Sequence, residues 1–525
     1  MDKRSTSRIL IVAAMVVVAL GAQANGSTFD GTIKLGGIGI DEDYGDLSSL
    51  QETYNIYDGF NVSQIRLNAN INPRNYFTLN LREINLKSRK GDFLYRMPGV
   101  LKISSRYVRD RWVFDPDRVV NTDRKHWRIG VGYTPRKSWT LSANYNINKR
   151  NGDRLSYPTG TQSWLGNGYD YTIQTGGIEA RYIRGRRGAA VRYDLTDFTN
   201  RLDGDTDRRG YVVSARVHSP CGFYDKWTHF LRGAYGRHEL STTGLDYTLM
   251  NFQYTGVVAP INWFTFKYNL YLNRIDDEST QMKTDNVQNN FDGEFYYRYG
   301  RLFAGYGYEI NDDDRSLTNY NTYRVGGTFD YEGRVFGKVR YANRSKTDTE
   351  KRTLLQDIDS ELIRADLKLK VIKDLTVGGK YIDGEREFTD IGVKSEGEKA
   401  NAYLVYEYPN WAGVQGDYTY GVDRYVDRVG KFDTDSHVVT AKLTIDRIRN
   451  LYLAGGVTYL QIGKDLDIEK SILSFEGEYT IADDYHIEVQ YNVYNYDDFL
   501  VLERYYTANV VWVNVAYDFG IKSSD

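Results

Sequence analysis

The 525-residue chain carries 68 basic and 70 acidic side chains, a balance that offers nothing to nucleic acid. Its 46 Tyr, 21 Phe, 8 Trp and 49 Gly against only 8 Pro suit long strands with aromatic ends, and fit neither a helical enzyme nor a disordered tail. A mean hydropathy of −0.57 excludes a bundle of apolar membrane helices but not a barrel, whose strands alternate lipid-facing and water-facing side chains.

The N-terminus reads as an export signal. Lys3, Arg4 and Arg8 form a basic region, Ile9 to Leu20 is an apolar run, and Ala22-Gln23-Ala24 supplies a small-x-small cleavage site. Residues 1–24 are thus expected to be a signal peptide and 25–525 a single β-barrel domain. Cys221, the one cysteine, lies in a turn beside Pro220 and Gly222. It allows no intrachain disulfide, no thiolate metal cluster and no Cys-x-x-Cys-His haem attachment, so no covalently bound cofactor is expected.

Beyond the leader the sequence alternates with period two. In 138–147, Trp139, Leu141, Ala143, Tyr145 and Ile147 share one face and Ser138, Thr140, Ser142, Asn144 and Asn146 the other. Residues 363–371, 485–493 and 511–519 repeat the pattern, which requires one apolar and one hydrated environment along many strands. A closed sheet in lipid supplies both and leaves no unpaired edge.

Short turn signals recur at Asn72-Pro73-Arg74, Pro98-Gly99, Pro135-Arg136, Gly185-Arg186, Pro220-Cys221-Gly222, Pro260-Ile261, Tyr299-Gly300, Tyr331-Glu332, Lys373-Asp374, Pro409-Asn410, Arg447-Ile448 and Ala482-Asp483. Longer polar stretches lie between them, among them 41–58, 108–123, 150–168, 275–287, 385–397 and 423–434. With both termini on the short-turn side, this predicts an all-β, transmembrane antiparallel barrel of the outer-membrane type with about 26 strands (range 22–26), each about 9–11 residues long. The protein is expected to be integral to a Gram-negative outer membrane with periplasmic termini.

No catalytic constellation is present. His126, His218, His229, His238, His437 and His486 lack metal-ligand spacing, and neither a nucleophile elbow nor a His-Glu-x-x-His motif occurs. Carboxylates such as Asp276-Asp277-Glu278, Asp312-Asp313-Asp314 and Asp203, Asp205 and Asp207 are expected in loops, as solvated charge or weak calcium sites. No enzyme activity and no resident metal are therefore expected. On the hydrated face, Lys267, Asn269, Arg364, Asp366, Lys368, Lys370, Lys442, Glu488 and Asp518 carry both signs of charge and do not read as a single-sign selectivity ring. A barrel this wide leaves a large hole, and alternation that begins at Phe29 leaves no room for an N-terminal plug, so a second protein is expected in the lumen.

Gly132 to Tyr145, then Lys149-Arg150-Asn151-Gly152-Asp153-Arg154, Tyr169-Asp170-Tyr171-Thr172, Gly177 to Tyr182 and Val191 to Asn200 resemble the MtrB/PioB family of outer-membrane barrels. The resemblance covers about 70 residues, and it departs from the family in having Gly168-Tyr169-Asp170-Tyr171 and no N-terminal Cys-x-x-Cys. It implies a sheath that holds a periplasmic multihaem c-type cytochrome in its lumen, with an extracellular multihaem cytochrome as a further partner and haem only on those partners, for transmembrane electron transfer. The alternative is a general or solute-specific outer-membrane porin, which needs only the barrel. Outer-membrane lipid is a partner under either reading.

Overall fold

The computed structural model describes residues 28–522 apart from 46–49, 52–53, 73–74, 114–120, 153–154, 157–162, 165–167, 203–206, 223–225, 241–243, 245, 279–280, 314–316, 350–356, 410, 428–429, 447 and 500–504. The export segment expected at residues 1–24 lies outside the described residues.

The strands in chain order are β1 (Thr28–Gly45), β2 (Gly59–Asn72), β3 (Asn75–Arg82), β4 (Arg89–Met97), β5 (Leu101–Val113), β6 (Asn121–Arg136), β7 (Trp139–Gly152), β8 (Leu155–Ser156), β9 (Ser163–Trp164) and β10 (Tyr169–Arg184). There follow β11 (Arg187–Asn200), β12 (Arg208–Pro220), β13 (Trp227–Leu240), β14 (Asp246–Ile261), β15 (Phe264–Asp277), β16 (Met282–Tyr297), β17 (Gly300–Asp313), β18 (Leu317–Tyr331) and β19 (Val335–Asp348). The chain ends with β20 (Ile358–Ile372), β21 (Leu375–Phe388), β22 (Val393–Tyr408), β23 (Ala412–Val426), β24 (Lys431–Ile445), β25 (Leu451–Lys464), β26 (Ile468–Ala482), β27 (Tyr485–Asp498) and β28 (Tyr506–Lys522).

Twenty-six of these strands form one antiparallel sheet, and β8 and β9 pair only with each other, in the connection between β7 and β10. Each barrel strand pairs with its sequence neighbours. The sheet closes where β1 meets β28 in register from Thr28↔Lys522 to Gly45↔Tyr506. An even strand number is what allows a fully antiparallel sheet to close, and closure gives every strand two hydrogen-bonded neighbours. The protein is thus an all-β, integral barrel of the outer-membrane type, with the strand number expected from the twelve turns. No helix among the described residues is long and apolar enough to cross a membrane.

Where the connections are described, the turn positions hold to within a few residues; Pro73-Arg74, Asn410 and Arg447 lie outside the described residues. Gly185-Arg186 and Lys373-Asp374 are the turns themselves, and Gly99 and Gly185 have positive φ, which glycine adopts without strain. The strand lengths differ from expectation. Most barrel strands have 13 to 16 residues, and polar stretches expected as loops, such as 275–287 and 385–397, are largely strand. Fifteen residues at about 3.3 Å each, tilted by about 40°, rise about 38 Å, against an apolar band of about 25 Å. Above that band both faces of the sheet are wet, so period two vanishes from the sequence while the hydrogen-bonded ladder continues.

The outward face is fixed by exposure. On β28, Val511, Val513, Val515 and Tyr517 are exposed while Ala508, Val510 and Ala516 are buried. Outward rows end near the short turns in aromatic pairs: Trp139 with Tyr182 (ring centroids 5.1 Å), Trp263 with Phe295 (5.1 Å) and Tyr485 with Tyr517 (4.8 Å). This is the interfacial girdle expected of lipid-facing aromatics. A charge placed in the outward row should therefore cost far more than one placed inward. Val513→Arg is expected to lose about 2–4 kcal/mol of folding stability in lipid vesicles, while Gln490→Arg on the neighbouring inward row loses less than about 1 kcal/mol, as read by urea titration of Trp fluorescence.

Candidate functional site

With the outward face assigned, the other face of each strand lines the lumen. Lys267, Asn269, Arg364, Asp366, Lys368, Lys370, Lys442, Glu488 and Asp518 all occupy this inward parity, as their sequence pattern indicated. The ladder gathers some of them into pairs. Glu488 accepts an ion pair from Lys34 across the β27–β28–β1 seam, Arg364 lies 3.7 Å from Asp366, and Asp518 is 2.9 Å from His486 Nε2.

Several carboxylates lie flat against the wall because glycine leaves room for them. Asp194 is paired with Arg192 at 2.6 Å, and its Oδ1 stands 2.2 Å from where a Cβ on Gly177 would be. Asp292, held by Arg324 at 3.0 Å, lies equally close over Gly305. Any larger residue at 177 or 305 would push the carboxylate off its arginine. Further inward pairs are Arg216–Glu179 (2.7 Å), Arg301–Glu294 (3.1 Å) and Arg344–Glu309 (3.2 Å).

The balance of the wall is nevertheless basic, which the sequence did not disclose. The register sets arginines directly opposite one another on the inward face: Arg106 with Arg128, Arg124 with Arg150, Arg216 with Arg232, and Arg340 with Arg364. Lys102 and Arg181 share this face in the first half of the barrel, and Lys338, Lys368, Lys370, Lys380, Lys399 and Lys442 in the second. Like charges directly opposite on a sheet repel each other, so folding alone would not favour these pairs. The acidic counterpart is narrower: Glu476, Glu478, Glu488 and Asp518 on β26–β28. The wall carries both signs, as its sequence pattern indicated, and the register adds where the basic residues gather, since each arginine was visible while its partner across the ladder was not.

The outer mouth is narrowed by the segment between β1 and β2. Leu50 and Ile56, both essentially inaccessible, pack on Ile38, Tyr494, Tyr506, Ala508 and Val510, which lie on the inward face near the outer rim. Tyr54 rests on Tyr494 with ring centroids 4.7 Å apart, beneath Lys470 Nζ at 4.9 Å from the Tyr54 ring. Asn55, at φ 57°, ties this segment to the β3–β4 connection: its Nδ2 donates to Ser88 O and its Oδ1 accepts from Ser88 N, both at 2.9 Å. Glu83, in that connection, has its carboxyl pushed above the usual carboxylate range by burial, against the pull of Lys90 and Arg82.

Among the described residues no group of three or more His, Cys, Asp or Glu is placed to hold a metal ion. The expected calcium-binding carboxylates are dispersed. Asp276 and Asp277 end β15, Asp312 and Asp313 end β17, and Asp203, Asp205 and Asp314 lie outside the described residues. Cys221 is buried in its turn, with its backbone N–H donating to Trp227 O at 2.7 Å.

No family model matches the chain, and no curated protein does. Solved structures align over most of its length at low similarity. The siderophore receptor PirA from Pseudomonas aeruginosa is 10% identical over 94% of this chain and 80% of its own, with a TM-score of 0.45. The FrpB iron transporter from Neisseria meningitidis (F3-3 variant) is 8% identical over 95% and 82%, with a TM-score of 0.49. The ferric-catecholate import receptor Fiu from E. coli K12 is 10% identical over 95% and 82%, with a TM-score of 0.44.

These findings correct the resemblance to the MtrB/PioB family, and with it the sheath function and the multihaem cytochrome partners in the lumen and outside the cell. The three aligned structures named above are a siderophore receptor, an iron transporter and a ferric-catecholate import receptor, none of them a cytochrome conduit. The physical reason lies in the residues that carried the resemblance. The described parts of these segments lie in the ordinary hairpins β6–β7 and β10–β11, with Tyr145 and Tyr182 outward and Arg192 and Asp194 inward. Lipid on one side and water on the other impose such a pattern on any barrel.

Two outcomes follow for the inward segment. Leu50→Ala with Ile56→Ala removes contacts worth about 2–5 kcal/mol each and should free the segment without opening the sheet. Single-channel conductance is expected to rise and become noisier, with heat-modifiable gel migration unchanged. Because the folded Glu83 value is raised, its packing is most favourable below the ordinary glutamate value near 4.5 and weakens as pH rises through the raised value. Amide protection factors at Asn55 and Ile56, corrected for the base-catalysed intrinsic rate, should thus rise on acidification through that range, and Glu83→Gln should abolish the dependence.

Proposed function

We propose that this barrel is an outer-membrane pore for hydrophilic solutes, porin-like, with a preference for anions. The observation that carries the reading is the facing of Arg106 with Arg128, Arg124 with Arg150, Arg216 with Arg232 and Arg340 with Arg364 on the inward wall. One arginine of each pair also has an acidic neighbour, Asp92 for Arg106, Asp110 for Arg124, Glu179 for Arg216 and Asp366 for Arg364, so each pair keeps a net positive charge that a passing anion can meet. The same reading takes residues 1–24 as the export signal and 25–525 as one barrel domain.

Selectivity in so wide a channel must come from the field near the wall rather than from a tight ring. A round 26-stranded sheet with about 4.8 Å between strands and about 40° of tilt would be about 50 Å across between backbones. The Debye length is about 10 Å at 0.1 M salt and about 3 Å at 1 M. The basic wall therefore enriches anions in the outer shell of the lumen at low salt and loses its influence at high salt. The segment around Leu50 and Ile56 narrows one side of the mouth and brings passing solute closer to the charged wall.

The test is the reversal potential across a planar bilayer holding the purified protein. In a tenfold KCl gradient below 0.1 M the sign is expected to report chloride preference, and the preference should largely vanish when both solutions exceed 1 M. Replacing Arg106, Arg128, Arg340 and Arg364 by Glu should invert the sign with conductance retained. Cation preference in the unmodified protein, or no conductance at all, would remove the basis for this reading.

A further inference from the structure

A second basic cluster lies on the opposite, outward face, where transport chemistry does not reach. Three rows cross β5, β6 and β7. The first is Tyr107, Trp127 and Ile147; the second is Arg109, Lys125 and Lys149; the third is Arg111, Asp123 and Asn151. All three share the outward parity of exposed Trp127, and they run in this order toward the outer rim. The apolar band therefore ends on an aromatic row, and the next row is wholly cationic.

The second and third rows enclose a hollow of about 320 Å³ lined by Arg109, Arg111, Asp123, Lys125, Lys149 and Asn151. Asp123 is the carboxylate of this lining. It takes Arg109 through two bonds, Nη2 to Oδ2 at 2.7 Å and Nε to Oδ1 at 3.2 Å, and Lys125 Nζ stands 3.4 Å away. Asp170 on β10 stands opposite Asn151 and extends the third row. The cations still exceed the acids, and Lys125 faces Lys149 directly across the ladder. Elsewhere at this height outward cations sit beside carboxylates, Arg274 with Asp285, Arg237 with Asp246, and Lys394 with Glu385 and Glu396, the last within an acidic patch that includes Asp383 and Glu398. The excess on β5–β7 is local.

We propose that this hollow binds the phosphate of a phosphorylated glycolipid in the outer leaflet, whose acyl chains lie along Trp127 and Ile147 while Lys125, Lys149 and Arg111 hold the phosphate oxygens. Charge complementarity and height select this occupant, since the anion must sit immediately above hydrocarbon. Lys and Arg form short charge-assisted bonds to phosphate, and a site bordered by apolar surface strengthens them. The proposal is independent of what the lumen conducts.

The experiment titrates the full-length barrel in detergent with bis-phosphorylated lipid A and with its dephosphorylated form, counting bound lipid by native mass spectrometry. The unmodified protein is expected to hold the phosphorylated form at least tenfold more tightly. Lys125→Gln with Lys149→Gln should lose that preference, and Lys149→Gln alone should lose part of it. Arg274→Gln, on a balanced outward pair, should retain it. Heat-modifiable migration establishes that each variant is folded. Were the double variant not to fold, Lys149→Gln and the salt dependence of the unmodified protein would decide: a preference unchanged between 0.05 and 0.5 M salt overturns the proposal. So do equal affinity for the two lipids, a folded double variant that binds as the parent does, or displacement of the lipid by an equal concentration of inorganic phosphate.

Discussion

Everything in this molecule follows from the requirement that no backbone N–H or C=O meet hydrocarbon unpaired. In water an unmatched amide at a sheet edge is solvated; in lipid each such group costs several kcal/mol. The β1–β28 ladder removes the last two edges, and with them the remaining freedom of the wall. Once the sheet is closed, parity alone decides the environment of every side chain, and a slip of one residue on any strand would exchange lipid for water along its whole length. The glycines under Asp194 and Asp292, the outward aromatic pairs and the inward arginines are consequences of that fixed register.

The two faces use the same residue types for different ends. Inward, arginine is set against arginine across the ladder, so that the wall carries an excess charge for whatever passes. Outward, Arg274 is matched to Asp285, the β21–β22 hairpin carries an acidic excess, and β5–β7 carries a cationic excess that Asp123 offsets only in part. Neither arrangement stabilises the sheet by itself. Exposed ion pairs contribute up to about 1 kcal/mol each, and facing like charges subtract a similar amount. Stability resides in the closed ladder, which leaves the side chains of both wet surfaces available for function.

The inward segment around Leu50 and Ile56 shows how a barrel can make a small core without a globular domain. Residues at the rim of β1, β27 and β28 depart from the polar rule of the lumen: Ile38, Tyr494, Tyr506, Ala508 and Val510 are apolar on the wet face. In the sequence they read as a lapse in alternation at strand ends. In the structure they are the seat for a loop, and the lapse is the signal that could have revealed it.

The sequence by itself determined the class of fold, the number of strands to within a range of about 22–26, and which residues face lipid. Those depend on period two and on turn residues, both local, and Val511, Val513 and Val515 against Trp512 and Asn514 are legible without a partner strand. The lumen-side positions of Arg364, Asp366, Lys368 and Glu488 were legible for the same reason. What only the tertiary structure decided is which inward residues face each other. Arg340 and Arg364 lie on strands joined by the connection after Asp348, and Arg106 and Arg128 across the connection after Val113; neither is a tight turn that sets register from sequence. The charge of the wall is a property of register between strands. The family likeness failed for the complementary reason, since it rested on local pattern along β6–β11, which the membrane imposes on any chain that closes a sheet within it.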